Sequence, residues 1–558
     1  MGLTISQKII KARDSLKAKR STWRALCEEA CRLFNPEAQD LLTQAAGSEV
    51  LQPIVSTGIL AQERLTSGLF SNTMSMGRGR VMDEDPKKMR DAGVKRFYTA
   101  LSKAAHRRIQ QSPFPEKYEE MLQGFNVRGE AVFYVHFNEK TRLHEYRVYP
   151  ATKCFPVRDV AGNVIEIYRE FELSAQAAVL EYGYDEVSEV IRKAFDKEDH
   201  DTNFEFIHAV RPRRERNKKR LDSQNMAFES IHVEVEKKKK VRVSGTTRMR
   251  YLVPRFYVRD EEDSGRSPAM KALPVARTLM KVVSDHMDGV ELGIGPPMLL
   301  PDKDAVESAV LEAFGVSYCD MSNGQPFIYT TTGNLQLSRE FIEFLCDELN
   351  KLHYVDLFAM LEQLKTGQKT AYEISQLVAE RIQAISPVVN RLGSGFFAPL
   401  YEITAEDILQ YGLLDVEVPS ALQADAGDGQ GSGFRVQYTS RLDVQLSEME
   451  MSSLGQAIMQ AVEMVTAIQS NPLMNAAVKV EEVINKIFEA KNVDTELLFS
   501  PAEFKTRVKE FLEAQAQQAQ QAQMAESIKP MDPQKAAEDG SPLDLMGAAL
   551  DENETMAI

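Results

Sequence analysis

The sequence predicts an α+β protein, and three observations carry that prediction. Between residues 131 and 258, short runs rich in β-branched and aromatic residues recur between turn signals. On both sides of this region apolar residues recur at spacings of three and four, the period of a helix. The stretch from Arg266 to Leu392 then reads as a long helix, a short β-containing module, a second long helix, a tight loop and a third helix.

In chain order, residues 4–34 predict one amphipathic helix carrying Ile5, Ile9, Leu16, Trp23, Leu26 and Leu33, ended by Asn35-Pro36. Its basic residues are read as a solvated face. Ser56 to Phe70 is a second helix, residues 75–80 a flexible Gly-rich turn, and residues 86–111 a charged helix. Phe114 to Gly124 is a short helix. Strands follow at 131–137, 146–149, 154–157 and 164–171, with Ala161-Gly-Asn163 as a hairpin turn. Ser174 to Phe195 is helical, and strands return at 204–207, 231–235, 241–243 and 253–258. Two basic runs, 211–220 and 237–240, interrupt them. They are read as solvated hairpin tips, where lysine also blocks edge-to-edge pairing; contact with DNA or an acidic protein is the other reading.

The central stretch opens at Ser267-Pro268, a capping residue followed by proline at the first helical position. Leu273, Ala276, Met280, Val283, Met287 and Val290 then form one narrow apolar seam. Residues 269–291 span roughly 35 Å as a helix. Gly293, Gly295, Pro296 and Pro297 stop it. Two short strands, 316–319 and 326–330, flank the turn signal Asn323-Gly324. A helix returns near Ser338 with Phe341, Leu345, Leu349 and Leu352 on one face, ending near Lys365–Lys369. Thr370 and Glu373 form a capping box for the third helix. An out-and-back pair with such narrow seams makes a stalk that calls for copies of itself alongside. Beyond it lie a short helix at 404–411, a Gly/Asp loop, a strand at 434–438, and helices from 446 to 524. Past Ile528 the acidic, aromatic-free tail is expected to be disordered.

Composition bounds the function. The chain has 558 residues, 43% hydrophobic and 27% charged, with a formal charge of −15. Residues 205–260 hold 16 Lys and Arg against 7 Asp and Glu, while residues 421–558 hold 10 against 22. An acidic chain disfavours a tight general grip on phosphates. No apolar run approaches membrane-spanning length and no signal core opens the sequence, so no membrane partner is expected. Cysteines 27, 31, 154, 319 and 346 are read as buried or half-buried thiols. No phosphate loop, HExxH or GxSxG motif occurs, and the eight histidines show no metal-ligand spacing. No enzymatic activity, cofactor or metal is expected. The acids Glu261-Glu-Asp263 sit before a helix start, where the dipole favours them.

Several segments resemble one family in order. Ser264-Gly-Arg-Ser-Pro-Ala-Met-Lys-Ala-Leu-Pro274 is similar to a Gly-x-x-Pro…Ala-Leu-Pro approach to a long helix, and Gly295-Pro-Pro297 to the Pro-Pro that follows it. Lys369-Thr-Ala-Tyr-Glu-Ile374 is similar to a Thr-Ala-Thr-Glu-Val helix start, and residues 387–400 to a Pro-x-x-x-Arg-Leu…Phe…Pro-Leu run. Ser56 to Phe70 and Asp159 to Val164 match as well. Together they resemble the portal, or head-to-tail connector, proteins of short-tailed bacteriophages. The chain departs from that pattern in its single tryptophan, Trp23, and in Gly129-Glu-Ala131 where the family has Gly-x-Gly.

The resemblance implies a portal fold assembled as a ring of twelve copies around double-stranded DNA. Residues 1–268 and 370–445 form an α/β wing, 269–292 and 338–356 a helical stem, and 293–337 a small α/β clip. Residues 357–369 form a tunnel-loop region with Lys365 and Lys369 facing the channel, 446–527 a helical crown or barrel, and 528–558 an acidic tail. It implies as partners the terminase large subunit, tail adaptor or nozzle proteins, and the major capsid and scaffolding proteins. The protein is then made in the host bacterial cytoplasm and resides at a capsid vertex of the virion. The competing readings are an adaptor or scaffold, or a non-catalytic nucleic-acid-binding protein; the strand-rich region 131–258 argues against a scaffold.

Overall fold

A computed structural model describes residues 4–36, 54–74, 78–199, 202–217, 222–259, 262–301, 312–319, 326–328, 335–363, 384–419, 422, 433–439 and 459. The chain divides into two compact units, Met1–Leu446 and Ser447–Ile558, of which the second contributes only Met459 to the described residues. The helices expected between 446 and 524 and the acidic tail therefore lie outside them. So do Lys365, Lys369, Thr370, Glu373 and the turn Asn323-Gly324.

The N-terminal helix predicted as one is two, α1 (Ile5–Lys19) and α2 (Ser21–Phe34), meeting at Arg20. Each half serves a different core, which one straight stripe would not allow. α1 starts in a capping box of Thr4 with Gln7 and lays Ile9 on a five-stranded sheet. α2 buries Trp23, Cys27, Cys31 and Phe34 in another core. That sheet is antiparallel throughout, β4 (Cys154–Arg158), β5 (Val164–Ser174), β6 (Asn203–Pro212), β7 (Phe228–Glu234) and β8 (Lys240–Thr246), in chain order. On β6, Ile207 and Ala209 face α1, while Phe204 and Phe206 pack under α6 (Ala175–Tyr182) and α7 (Glu189–Asp196). A strand covered on both faces buries consecutive residues, as β6 does. The single helix expected over 174–195 is interrupted at Gly183, whose φ of +96° is left-handed.

A second layer packs α3 (Thr57–Met74), α4 (Ala92–Gln110) and α5 (Phe114–Arg128) with a three-stranded sheet of β2 (Val132–Asn138), β3 (Leu143–Tyr149) and β9 (Tyr251–Leu252). The helical turns of 384–392, a five-residue π turn at Gly393–Phe397 and α11 (Ala398–Gln410) complete this core. The helix predicted at 404–411 thus begins six residues earlier, at Ala398.

Residues 78–80, expected in a flexible turn, belong to strand β1 (Arg78–Asp83), which pairs antiparallel with β13 (Phe434–Thr439) from far along the chain. Glycine is there for space. A Cβ on Gly79 would lie 2.4 Å from the ring of Tyr401. The basic runs are partly structural. Arg211 lies within β6, in an ion pair with Glu229 on β7, and Lys237 to Lys239 make the β7–β8 turn, with Lys238 at φ +52°.

Candidate functional site: a helical hairpin and its distal sheet

The longest described helix, α8 (Pro268–Ile294), leaves the α/β body and is answered by an antiparallel return, α9 (Leu335–Leu352). Its start is fixed by buried polar contacts. Ser267 accepts from the Met270 amide at 2.9 Å and donates to the Val127 carbonyl at 2.7 Å. Gly265 donates its N–H to Glu130 Oε2 at 3.2 Å, and its carbonyl accepts from the Trp23 indole at 2.8 Å. Arg20 closes the cluster, 3.2 Å from Glu130 Oε1 and with its guanidinium 4.2 Å from the Trp23 ring centre. The chain passes so close to Gly129, itself at φ +77°, that a Cβ on Gly265 would fall 2.0 Å from the Gly129 carbonyl oxygen. These two glycines give the Ser264-Gly-Arg-Ser-Pro268 segment a structural reason. The sequence reading missed Arg20 and Glu130, whose signal is only visible when the two glycines are seen to cross.

Farther along, the two helices meet at small and polar positions. His286 Nδ1 lies 2.6 Å from Ser338 Oγ, and Gly289 admits Leu335 so closely that a Cβ there would lie 3.1 Å from Cδ2. Leu273 and Ala276 are buried in the core that α8 shares with α9, as are Leu345 and Leu349. Val283 and Leu352 are half-buried against it. Ala272, Leu279 and Val282 join this packed face, although the predicted seam named their neighbours. Met280 and Val290 are half-buried, and Met287 and Phe341 are exposed. With Ile294 (71% exposed), Leu337 and Phe344 (57% exposed) they form an apolar surface on the hairpin that the subunit itself leaves bare. Between residues 281–294 and 335–348 this surface lies among seven acids and two bases.

Between the helices sits a small sheet. The expected strands are present as β11 (Val316–Cys319) and β12 (Phe327–Ile328), but they do not pair with each other. Both flank an unpredicted strand, β10 (Met298–Pro301), which runs parallel to β11 and antiparallel to β12. Pro296, Pro297 and Pro301 mask β10 in sequence, yet a short strand that follows two prolines and ends on a third is compatible with their missing donors. Phe314 (73% exposed), Val316 and Tyr318 are presented to solvent.

The return helix ends earlier than expected. Tyr354 adopts φ +57°, separating α9 from α10 (Val355–Gln363), and its hydroxyl lies 2.7 Å from that of Tyr257. Among the described residues there is no group of three or more His, Cys, Asp and Glu side chains that could hold a metal. Burial pushes the thiol of Cys154 up to about 12 and that of Cys27 well above its usual range, so neither is a ready thiolate.

A family model described as bacteriophage head to tail connecting protein matches residues 6–498, most of the chain and the whole hairpin. The chain belongs to this family. The connector is similar to a probable portal protein of Bordetella phage BPP-1, 25% identical over 437 residues that cover 76% of this chain and 77% of the relative. It is also similar to the portal protein of Salmonella phage epsilon15, 22% identical over 472 residues covering 82% and 83%. The connector's mixed helix and sheet content agrees with the α+β class read from its sequence. Among its described residues no helix is long and apolar enough to cross a membrane.

Proposed function

We propose that this connector is a portal: copies close into a ring at one capsid vertex, and double-stranded DNA passes through its axis during packaging and ejection. The observation that carries the reading is the hairpin. It has one apolar face packed within the subunit and a second, with Met287, Ile294, Leu337, Phe341 and Phe344, left bare. A heterologous contact that places this bare face on the next copy's hairpin closes into a ring when the rotation per copy divides a full turn. Twelve copies are the expected number. The two relatives named as portal proteins support the same reading.

The parts then take roles. Residues 1–268 and 370–445 are the wing, 269–292 with 338–356 the stem, and 293–337 the clip. The clip receives the terminase large subunit and later the tail adaptor or nozzle, through its exposed Phe314, Val316 and Tyr318. The wing and the helices of 446–527, a crown or barrel, face the major capsid and scaffolding proteins. The subunit is made in the host bacterial cytoplasm and ends in the virion. Acidic residues on the stem keep phosphates from being held, so the duplex slides; Lys365 and Lys369, in the tunnel-loop region 357–369, steady it.

Negative-stain microscopy and native mass spectrometry of the purified full-length protein test the assembly. A ring with an open axis and a mass of twelve subunits is expected. A monomer, or a particle with no axial hole, overturns the proposal. Packaged DNA after Lys365→Ala with Lys369→Ala tests the lysines, and unchanged packaging and retention remove their role.

A further inference from the structure

A groove of about 490 Å³ lies away from the hairpin, between α4, the β2–β3 turn and the chain after α11. Its wall is one face of α4, on which Ala100, Lys103, Ala104, Arg107, Arg108 and Gln111 recur at helical spacing. α4 contains Lys95, Arg96, Lys103, Arg107 and Arg108 and not one acidic residue, in a chain whose net charge is −15. Arg142 adds a further cation from the turn, and among the described residues Asp415 is the only carboxylate lining the groove. Lys103 and Arg107 are exposed and make no ion pair among the described residues. The opposite wall is apolar, with Leu143 (62% exposed), Leu413, Leu414 and Val416.

The groove is preformed. The Asn138 side chain accepts from the amides of Lys140 and Thr141 and fixes the turn that presents Arg142 and Leu143. Beneath it His144 is held 3.1 Å from Asp407, which also takes two bonds of 2.6 Å from Arg250. On the far side Tyr411 stacks on Phe137 with ring centres 4.3 Å apart, and the Leu413 amide donates to the Ile408 carbonyl at 2.9 Å. A rigid cleft with cations on one wall and aliphatic side chains on the other matches one kind of occupant.

We propose that this groove docks an acidic peptide segment of a partner protein, one that alternates carboxylates with leucine-like side chains. Charge complementarity selects the sign of the segment, and the aliphatic wall selects protein over nucleic acid. A phosphate backbone has nothing to place on Leu143, Leu413 and Val416, and among the described residues no Phe, Tyr or Trp lines the groove for a base to stack on, its one imidazole, His144, being buried against Asp407. The proposal does not depend on the ring, because every residue it uses lies in one subunit.

Fluorescence anisotropy on the full-length protein tests it. The probes are a labelled glutamate–leucine peptide, the same peptide with glutamine for glutamate, and a labelled single-stranded oligonucleotide of equal length. The acidic peptide is expected to bind about tenfold more tightly than its glutamine counterpart. Lys103→Gln with Arg107→Gln should weaken it by about tenfold, and Leu143→Ser by a few-fold, with circular dichroism unchanged. All these positions are exposed, so the fold tolerates the changes. Absence of binding, indifference to the double variant, or equal binding of the oligonucleotide overturns the proposal.

Discussion

Glu130 is fully buried, lies 3.2 Å from the Arg20 guanidinium and accepts the amide of Gly265. Its value lies in what it connects: the N-terminal helices, the end of α5 and the start of the hairpin meet at this one carboxylate. Removing one member of a buried ion pair leaves the other desolvated without compensation, at a cost of about 3–5 kcal/mol. Glu130→Ala is therefore expected to lower the urea-unfolding free energy by about 3 kcal/mol or more, while Glu130→Gln, which keeps a hydrogen-bond acceptor, costs less. Trp23 is the single tryptophan and touches this cluster, so its fluorescence reports both variants directly. A larger loss from Glu130→Gln than from Glu130→Ala contradicts this account. Asp407 is comparable: burial opposes its charge, but the hydrogen bonds from His144 and Arg250 win and hold its carboxyl below the usual range.

The hairpin separates two kinds of apolar residue that look alike in sequence. Leu349 is buried in the subunit, and Leu349→Ala is expected to cost about 2–5 kcal/mol in any state of assembly. Phe344 is exposed in the subunit, so Phe344→Ser should change subunit stability by less than about 1 kcal/mol and yet abolish the proposed ring, as sedimentation would show. A ring formed normally by the Phe344→Ser protein counts against the assembly. Spacing placed both helices because each carries a long three-and-four pattern; the packed face of α8 includes Leu273 and Ala276 of the seam and then turns to Leu279 and Val282, one residue to its side. Adjacent apolar pairs, Leu279-Met280 and Val282-Val283, make two stripes equally regular, and only the partner helix decides which turns inward. The α4 and β5 segments were readable too, although α4 begins at Ala92, six residues later than the helix read at 86–111. Strand β13 was read at 434–438, but its partner β1 was not, since Gly79 is required by the Tyr401 ring of α11 rather than by a turn. Nor was the break at Tyr354, which no proline or glycine marks.

Two buried histidines and a half-buried one make the first unit of the chain sensitive to acid. His208 and His232 stack with ring centres 4.1 Å apart between Tyr251, Ser230 and Tyr182, with Arg169 and Arg242 nearby. Burial holds His208 well below its ordinary range and brings His232 down to about 3. His353, packed against Phe34 and bonded through Nδ1 to the Leu349 carbonyl, is brought down to about 4 by burial. Each is neutral in the fold and protonates near pH 6.5 when unfolded, so the unfolded chain binds more protons below that pH. Their contribution is complete above about pH 6.5 and is lost as the pH falls toward the folded values, by roughly 2 kcal/mol per histidine at pH 5. Glu234 and Glu402, raised by burial, act in the opposite sense and reduce the net fall. Asp407, held low, contributes stability that is complete above about pH 4 and is lost only as the pH falls further, so it stays outside this window. Urea unfolding followed by Trp23 emission at pH 7.5 and pH 5, at fixed protein concentration, should therefore show a clear loss of stability. In His353→Leu that loss should shrink by roughly 2 kcal/mol, whatever the variant's stability at pH 7.5. An identical pH dependence in the two proteins would mean that His353 titrates normally in the fold.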